Sequence, residues 1–451
     1  MSAHEPAKGR NKRAAPHSSR GPDGASRSHR NQSKAPVLNR VKTFLRGLGP
    51  GLITGCADDD PSGIATYSVA GAAFGYGTLW TALISFPLMV GIQMMCGRLG
   101  MVTGHGLASA IRKHYPRWVL VGACTLLVTA NIFNIAADLG GMGDSAAMVT
   151  GVTAKLWTLL FTAVIASFLF FSSYRQIARV FKWMTLVLFA YVGTAFFAHV
   201  DWRAALAATI VPHAPWTREF LSVLLGILGT TISPYLFFWQ AALEVEEGRA
   251  SGRNLARRRR TGDGDLRRAR ADVVTGMFFS NFVMYFIILT TAATLHAHGT
   301  THVATARQAA DALRPFAGTA AYWLFTLDLI GTGMLGVPVL AGSCAFALAE
   351  ASAWVGSLDK KPRSARRFYA VLAMAMVGGL AVDFAGLNAV KMMFWSAIVN
   401  GALAPPLIFL IILLTSNRRV MGERVNSVGL NLLGWITFIV MSAATVGILV
   451  T

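Results

Sequence analysis

The sequence predicts an all-α polytopic membrane protein with eleven transmembrane helices. Three observations lead there. Hydrophobic residues make up 54% of the 451-residue chain and charged residues only 14%, too few to cover a soluble surface of that size. Apolar runs of about 20 residues recur along the chain, each long enough to cross a bilayer as a helix. The runs are continuous rather than alternating, which points to helices and away from barrel strands.

The elements follow in order. Residues 1–44 are rich in Ser, Arg, Lys, Gly, Pro and Ala and have too little apolar surface to fold, so a disordered, basic cytoplasmic tail is expected. The first 46 residues are polar and basic, and no cleavable signal peptide is visible in them. A membrane domain is expected over 45–450. Its spans lie near 47–73, 77–99, 118–142, 155–173, 178–199, 218–244, 272–297, 320–348, 368–384, 389–415 and 429–450. Basic residues collect in every second connection: Arg112, Lys113 and Arg117; Arg175 and Arg179; the run from Arg249 through Arg257, Arg258, Arg259 and Arg260 to Arg270; Lys360 to Arg367; and Arg418, Arg419 and Arg424. The opposite connections are shorter or carry mostly His, Thr and Ala. The positive-inside rule then places the N-terminus in the cytoplasm and the C-terminus outside. The net charge of +20 is explained by topology, and no nucleic-acid partner is expected. Cys56, Cys96, Cys124 and Cys344 all lie in apolar stretches without a CxxC pair, which argues against structural disulfides and zinc.

Span one contains Asp58, Asp59 and Asp60 in mid-membrane, followed by Pro61, Ser62 and Gly63. One charge at that depth costs about 3 kcal/mol on insertion scales. Proline has no amide hydrogen to continue a helix, and it pushes the preceding residue out of the helical region. The helix should stop near Ala57 and restart at Pro61, with Asp60 as N-cap. Span six repeats the logic: Thr230, Thr231 and Ser233 precede Pro234, with Ser233 as the expected N-cap. Breaks in spans one and six are the relation expected of a five-plus-five inverted repeat, LeuT-like in kind. The repeats would cover about 47–200 and 218–416, with 429–450 as an extra helix. Paired breaks of this sort point to a transporter site.

A helix that stops frees carbonyl oxygens, and carboxylates beside them complete a set of hard ligands for a cation such as Mg2+ or Mn2+. Asp60 and Asp59 are the expected side-chain ligands, with backbone carbonyls near Ala57 and Thr231, and Ser233. Asp60 could instead be a plain cap, but capping leaves Asp58 and Asp59 unexplained. Three adjacent carboxylates cannot all face one point, so Asp58 is read as part of the pathway or of a proton relay. Asn131, Asn134 and Asp138 share one helical face in span three and read as a polar stripe on the ion path, the bland alternative being interhelical hydrogen bonds. Tyr235, Gln240 and Asn400 are further pathway candidates. Asp328 in span eight is a lone intramembrane acid, open to a functional or a pairing role. His296, His298 and His302 read as a solvated loop rather than a metal collector.

These residues resemble the Nramp metal-ion transporter family, in a divergent branch, over about residues 45–450. Asp60, Pro61, Ser62 and Gly63 stand at the family's Asp-Pro-Gly-Asn; Asp and Pro match. Ser233, Pro234 and Tyr235 stand at its Met-Pro-His, where only Pro matches, and Gln240 stands at a later His. Asp138, Leu139, Gly140 and Gly141 stand at Asp-Leu-Ala-Glu, keeping the Asp and losing the Glu. Arg366 and Arg367 match an Arg pair before span nine. The resemblance implies alternating-access transport of a divalent cation. With Ser233 in place of the family's Met, the soft sulfur is gone and the site becomes harder, closer to that of the magnesium-transporting relatives. The lost Glu and His bear on proton coupling.

The reading is thus a secondary transporter of Mg2+- or Mn2+-like ions in a bacterial inner membrane, with the metal as substrate, no cofactor, protons as an additional partner, and a monomer as a workable state. No G-x-x-x-x-G-K-[ST] occurs, so no ATP hydrolysis is expected. The alternative cargo is an organic cation or other small solute on the same fold. A membrane protease reading, from Gly141, Met142, Gly143 and Asp144 with Asp328 as second acid, leaves both helix breaks unexplained.

Overall fold

Two prolines set the architecture. The computed structural model describes residues 49–171, 188–212, 214–250 and 262–450. The expected disordered tail, Arg175, Arg179, the run Arg257 to Arg260 and the first half of the fifth span lie outside them. The first span is two half-helices, α1 (Pro50–Asp58) and α2 (Pro61–Phe74). Asp59 (φ −85°, ψ 60°) and Asp60 (φ −75°, ψ 170°) form the non-helical joint. Pro61 sits at the first helical position, where a missing N–H costs nothing. The helix therefore stops one residue later than Ala57, at Asp58.

The chain continues through α3 (Trp80–Thr103), α4 (Leu107–His114), α5 (Arg117–Thr150), α6 (Ala154–Phe171), α7 (Phe189–Phe197) and α8 (Trp202–Ile210). The second break separates α9 (Arg218–Thr231) from α10 (Pro234–Ala250), with Ile232 at φ −119°, ψ 56°. Then follow α11 (Asp263–Thr294), α12 (Ala321–Ala351), α13 (Arg366–Phe384), α14 (Ala389–Ser416) and α15 (Val428–Val450). Among the described residues there is no strand. Nine spans there are long and apolar enough to cross a membrane, α9 and α10 counting as one. The two half-helices of the first span are too short to count singly, and the described part of the fifth span is only nine residues.

Burial sorts inner from outer helices. Of the apolar stretch in α9–α10, 89% is covered by protein, against 28% in α6 and 22% in α15, so the latter two turn most of their side chains to lipid. At the centre α1 lies directly on α11. A Cβ on Gly51 would meet Val273 N at 2.6 Å, and one on Gly55 would meet Gly276 Cα at 2.7 Å. Small residues at four-residue spacing let the two backbones touch, which is how membrane helices approach closely.

Candidate functional site at the helix breaks

The site is built around α1's free ends. Asp272, on α11, caps the start of α1: its Oδ1 accepts from Gly49 N at 2.8 Å and Leu52 N at 3.3 Å, and its Oδ2 from Gly51 N at 2.6 Å. A carboxylate there answers both the unpaired amides and the positive helix end. Two turns on, Ser280 Oγ of the same helix donates to Asp58 Oδ2 at 2.5 Å and leans towards Asp59 Oδ1 at 3.3 Å. Asp272, Gly276 and Ser280 lie four residues apart, so a single stripe of α11 holds the whole length of α1.

Asp60 caps α2 as expected, its Oδ1 accepting from Gly63 N at 2.8 Å. Its other oxygen accepts from Asn134 Nδ2 at 2.9 Å and Tyr235 Oη at 3.3 Å. Tyr235 Oη also donates to the carbonyl of Ala57 at 3.1 Å. That carbonyl is one of those the break was expected to free, and it meets the second broken helix through a phenol. Asp138 lies beside the joint without touching Asp60 directly: its Oδ1 accepts from Ser62 N at 3.2 Å and Ser62 Oγ at 2.8 Å. Asn400 Nδ2 donates to Asn134 Oδ1 at 3.3 Å and so enters the network one step removed from Asp60. Gln240, on α10, meets α1 a turn before the break, accepting from Thr54 Oγ1 at 2.5 Å and donating to Glu244 Oε1 at 3.1 Å. Asp58, Asp59 and Asp60 are 0%, 2% and 3% exposed, so all three lie within the protein.

Two expectations are corrected. Ser233 does not cap α10: its hydroxyl turns back on α9 and donates to Gly229 O at 2.7 Å and Thr230 O at 2.6 Å. Back-bonding of this kind is what a hydroxyl does when a helix behind it has loose carbonyls. The carbonyl of Thr231 is not among those it takes. Asn131 leaves the stripe: its Nδ2 donates to Leu340 O at 2.9 Å and Ser343 Oγ at 2.7 Å on α12, an interhelical bond. Among the described residues no three His, Cys, Asp or Glu side chains converge on one point, so a cation here would take carbonyl or hydroxyl oxygens as well as carboxylates. His296, His298 and His302 do not converge either; His296 Nδ1 instead bonds Ala72 O at 2.7 Å.

At the basic end, a cavity of about 640 Å3 is lined by His105, Glu246, Arg249, Glu350 and Lys360. Glu350 accepts from Ser109 N at 3.1 Å in the first turn of α4, and Glu246 Oε2 accepts from Ser357 Oγ at 2.7 Å. These bonds tie the ends of α10 and α12 to the adjoining connections. Partial burial lowers the pKa of His105, the nearest connection histidine, from its ordinary value.

The family model described as Nramp, natural resistance-associated macrophage protein-like, matches residues 51–451. The divalent metal cation transporter MntH of Klebsiella pneumoniae (strain 342) is 28% identical over 423 residues, spanning 90% of this chain and 93% of that protein. The crystal structure of the Eremococcus coleocola manganese transporter, in complex with an aromatic bis-isothiourea substituted compound, superposes with a TM-score of 0.74 at 18% identity, covering 94% of this chain and 90% of that one. Mhp1, a nucleobase-cation-symport-1 family transporter in a closed conformation, superposes at 0.56 with 15% identity, covering 89% and 90%. The latter two likenesses establish the fold, two broken spans at the centre of a helical bundle. The family match runs through both breaks, and the chain belongs to the Nramp family.

Proposed function

We propose that this chain is a secondary transporter that moves divalent metal cations across a bacterial inner membrane by alternating access, with its N-terminus in the cytoplasm. The observation that carries the proposal is the meeting of the two breaks: Asp60 Oδ2 and the Ala57 carbonyl converge on Tyr235 at 3.3 and 3.1 Å in the buried core. Those two oxygens, with Asp59 and the Thr231 carbonyl, are hard donors that fit Mn2+ or Mg2+. Tyr235 bridges the two oxygens, and a cation that takes them displaces its hydroxyl. Asn134 orients Asp60 from the side, and Asn400 orients Asn134. Asp138 fixes the first turn of α2 through Ser62. Membership of the family and the likeness to a curated divalent metal cation transporter support the cargo class. The ion is substrate, not cofactor.

The test is flux in liposomes of purified protein, with an internal dye for Mn2+ or Mg2+ and a negative-inside potential. Wild type should take up both ions, and Asp60→Ala should lower uptake at least 100-fold. A pH-sensitive dye in the same vesicles reads accompanying proton entry. Correctly inserted wild-type protein that passes neither ion would overturn the divalent-cation reading in favour of an organic solute.

A further inference from the structure

Asp328 is the buried acid that the site at the breaks does not use. It lies on α12, 1% exposed, and neither of its carboxylate oxygens has a hydrogen-bond partner. The pairing role left open by the sequence is therefore absent among the described residues. Its position follows from the register of α12. A Cβ on Gly336 would meet Asp60 Cβ at 3.0 Å, and one on Gly333 would meet Pro61 Cγ at 3.2 Å, so this part of α12 passes the first break. Asp328 precedes Gly336 by about two turns, roughly 12 Å along the helix and away from the basic end. Ser68 on α2 stands at a similar height, about 10 Å beyond Pro61 by the same rise per residue. Tyr191 on α7 is within electrostatic reach of Asp328, as is Asp59. The Tyr191 phenol lies towards Ser68 Oγ; both oxygens are fully buried and neither makes a well-formed hydrogen bond.

A buried carboxylate with no partner, beside a buried phenol and hydroxyl that have only each other, is a costly arrangement in a low-dielectric interior unless something binds them. All of the donors are oxygens, the set a hard cation takes. We propose that Asp328, with Tyr191 and Ser68, forms a second cation station about 12 Å outward of Asp60, where the transported divalent ion is held on its way to or from the break. The proposal rests on the transport reading above and adds a second site to it. Asp59, at the joint, faces both stations electrostatically and leads the ion from one to the other.

The experiment is Mn2+ titration calorimetry on the purified full-length protein, paired with Mn2+ uptake in liposomes. Wild type should show two binding events. Asp328→Asn should lose the weaker one, leave the tighter one unchanged, and raise the uptake KM about tenfold or more. Asp60→Ala should lose the tighter event and the flux while keeping the weaker event. Asp328→Glu should restore the second event. Asn is the neutral isostere of a protonated acid, so a silent Asp328→Asn with one binding event in wild type would overturn the station and leave a neutral packing acid. If Asp328→Asn does not fold, Tyr191→Phe and Ser68→Ala preserve the volume, and an unchanged weaker event in both overturns the proposal equally. Failure of the transport reading itself looks different: wild type then shows neither flux nor any Mn2+ binding.

Discussion

The two helix breaks have the same proline logic and different chemistry. The first carries three carboxylates and is held from outside. Asp272 and Ser280 of α11 bind α1 at both ends, while Asn134 and Asp138 of α5 hold Asp60 and Ser62. The second carries no charge, and its hydroxyls turn mainly back onto its own helix. Thr231 and Ser233 direct their hydroxyls to carbonyls of α9, and Thr230 adds a bond to Tyr67 Oη at 3.1 Å. Its backbone rests on α14, where a Cβ on Gly229 would meet Gly401 Cα at 2.8 Å. The difference assigns the roles. On the function proposed above, the first break is the one that supplies ligands, through partners that can let go. The second is a braced, uncharged bracket that presents Tyr235.

The backbone contact under the first break is its most demanding element. Gly276→Leu puts a side chain where α1's backbone already is, well beyond the 1–3 kcal/mol of ordinary overpacking. The expected outcome is no monodisperse protein on size-exclusion chromatography. A folded, active variant would mean that α1 is not anchored on α11.

Asp272→Ala comes next. It strands three amides at the start of α1 and removes the charge facing the helix end, a loss of about 2–3 kcal/mol. Denaturation in detergent should show that loss, with the Mn2+ affinity of the Asp60 site weakened because α1 loosens. Unchanged stability would show that the cap is replaceable by water.

Tyr235→Phe removes the phenol that occupies Ala57 O and Asp60 Oδ2, a net hydrogen-bond contribution of about 1 kcal/mol. Because the cation must displace that phenol, Mn2+ should bind roughly fivefold tighter by titration, and release should slow. Weaker binding would instead make the phenol a ligand.

The sequence carried the breaks because their cause is local. Pro61 and Pro234 end a helix whatever surrounds them, and Asp60 caps the next turn three residues on. It did not carry Asp272 and Ser280, whose partners lie more than 200 residues away in the chain and become neighbours only when α1 docks on α11. The four-residue spacing of Asp272, Gly276 and Ser280 was the available signal: a small and polar stripe on an otherwise apolar span. Asn131 shares the face of Asn134 and Asp138 but lies about one turn nearer the basic end, so Asn134 meets Asp60 while Asn131 meets Leu340 and Ser343 of α12.

Ser233 was read as a cap and a ligand, whereas its hydroxyl is directed at Gly229 and Thr230 of its own preceding helix. Those carbonyls belong to a helix end that α14 also supports, and a back-bonding hydroxyl adds no net stability to a helix. Ser280 also donates from a buried hydroxyl, but across helices to Asp58, where loss leaves a buried oxygen unsatisfied at about 1–3 kcal/mol. Ser233→Ala should therefore change the uptake KM for Mn2+ less than threefold and leave thermal stability in place, while Ser280→Ala lowers both stability and affinity. If Ser233→Ala instead costs tenfold or more in KM with stability unchanged, the second break supplies a ligand oxygen of its own, and the division between a charged break that binds and a neutral one that braces would be wrong.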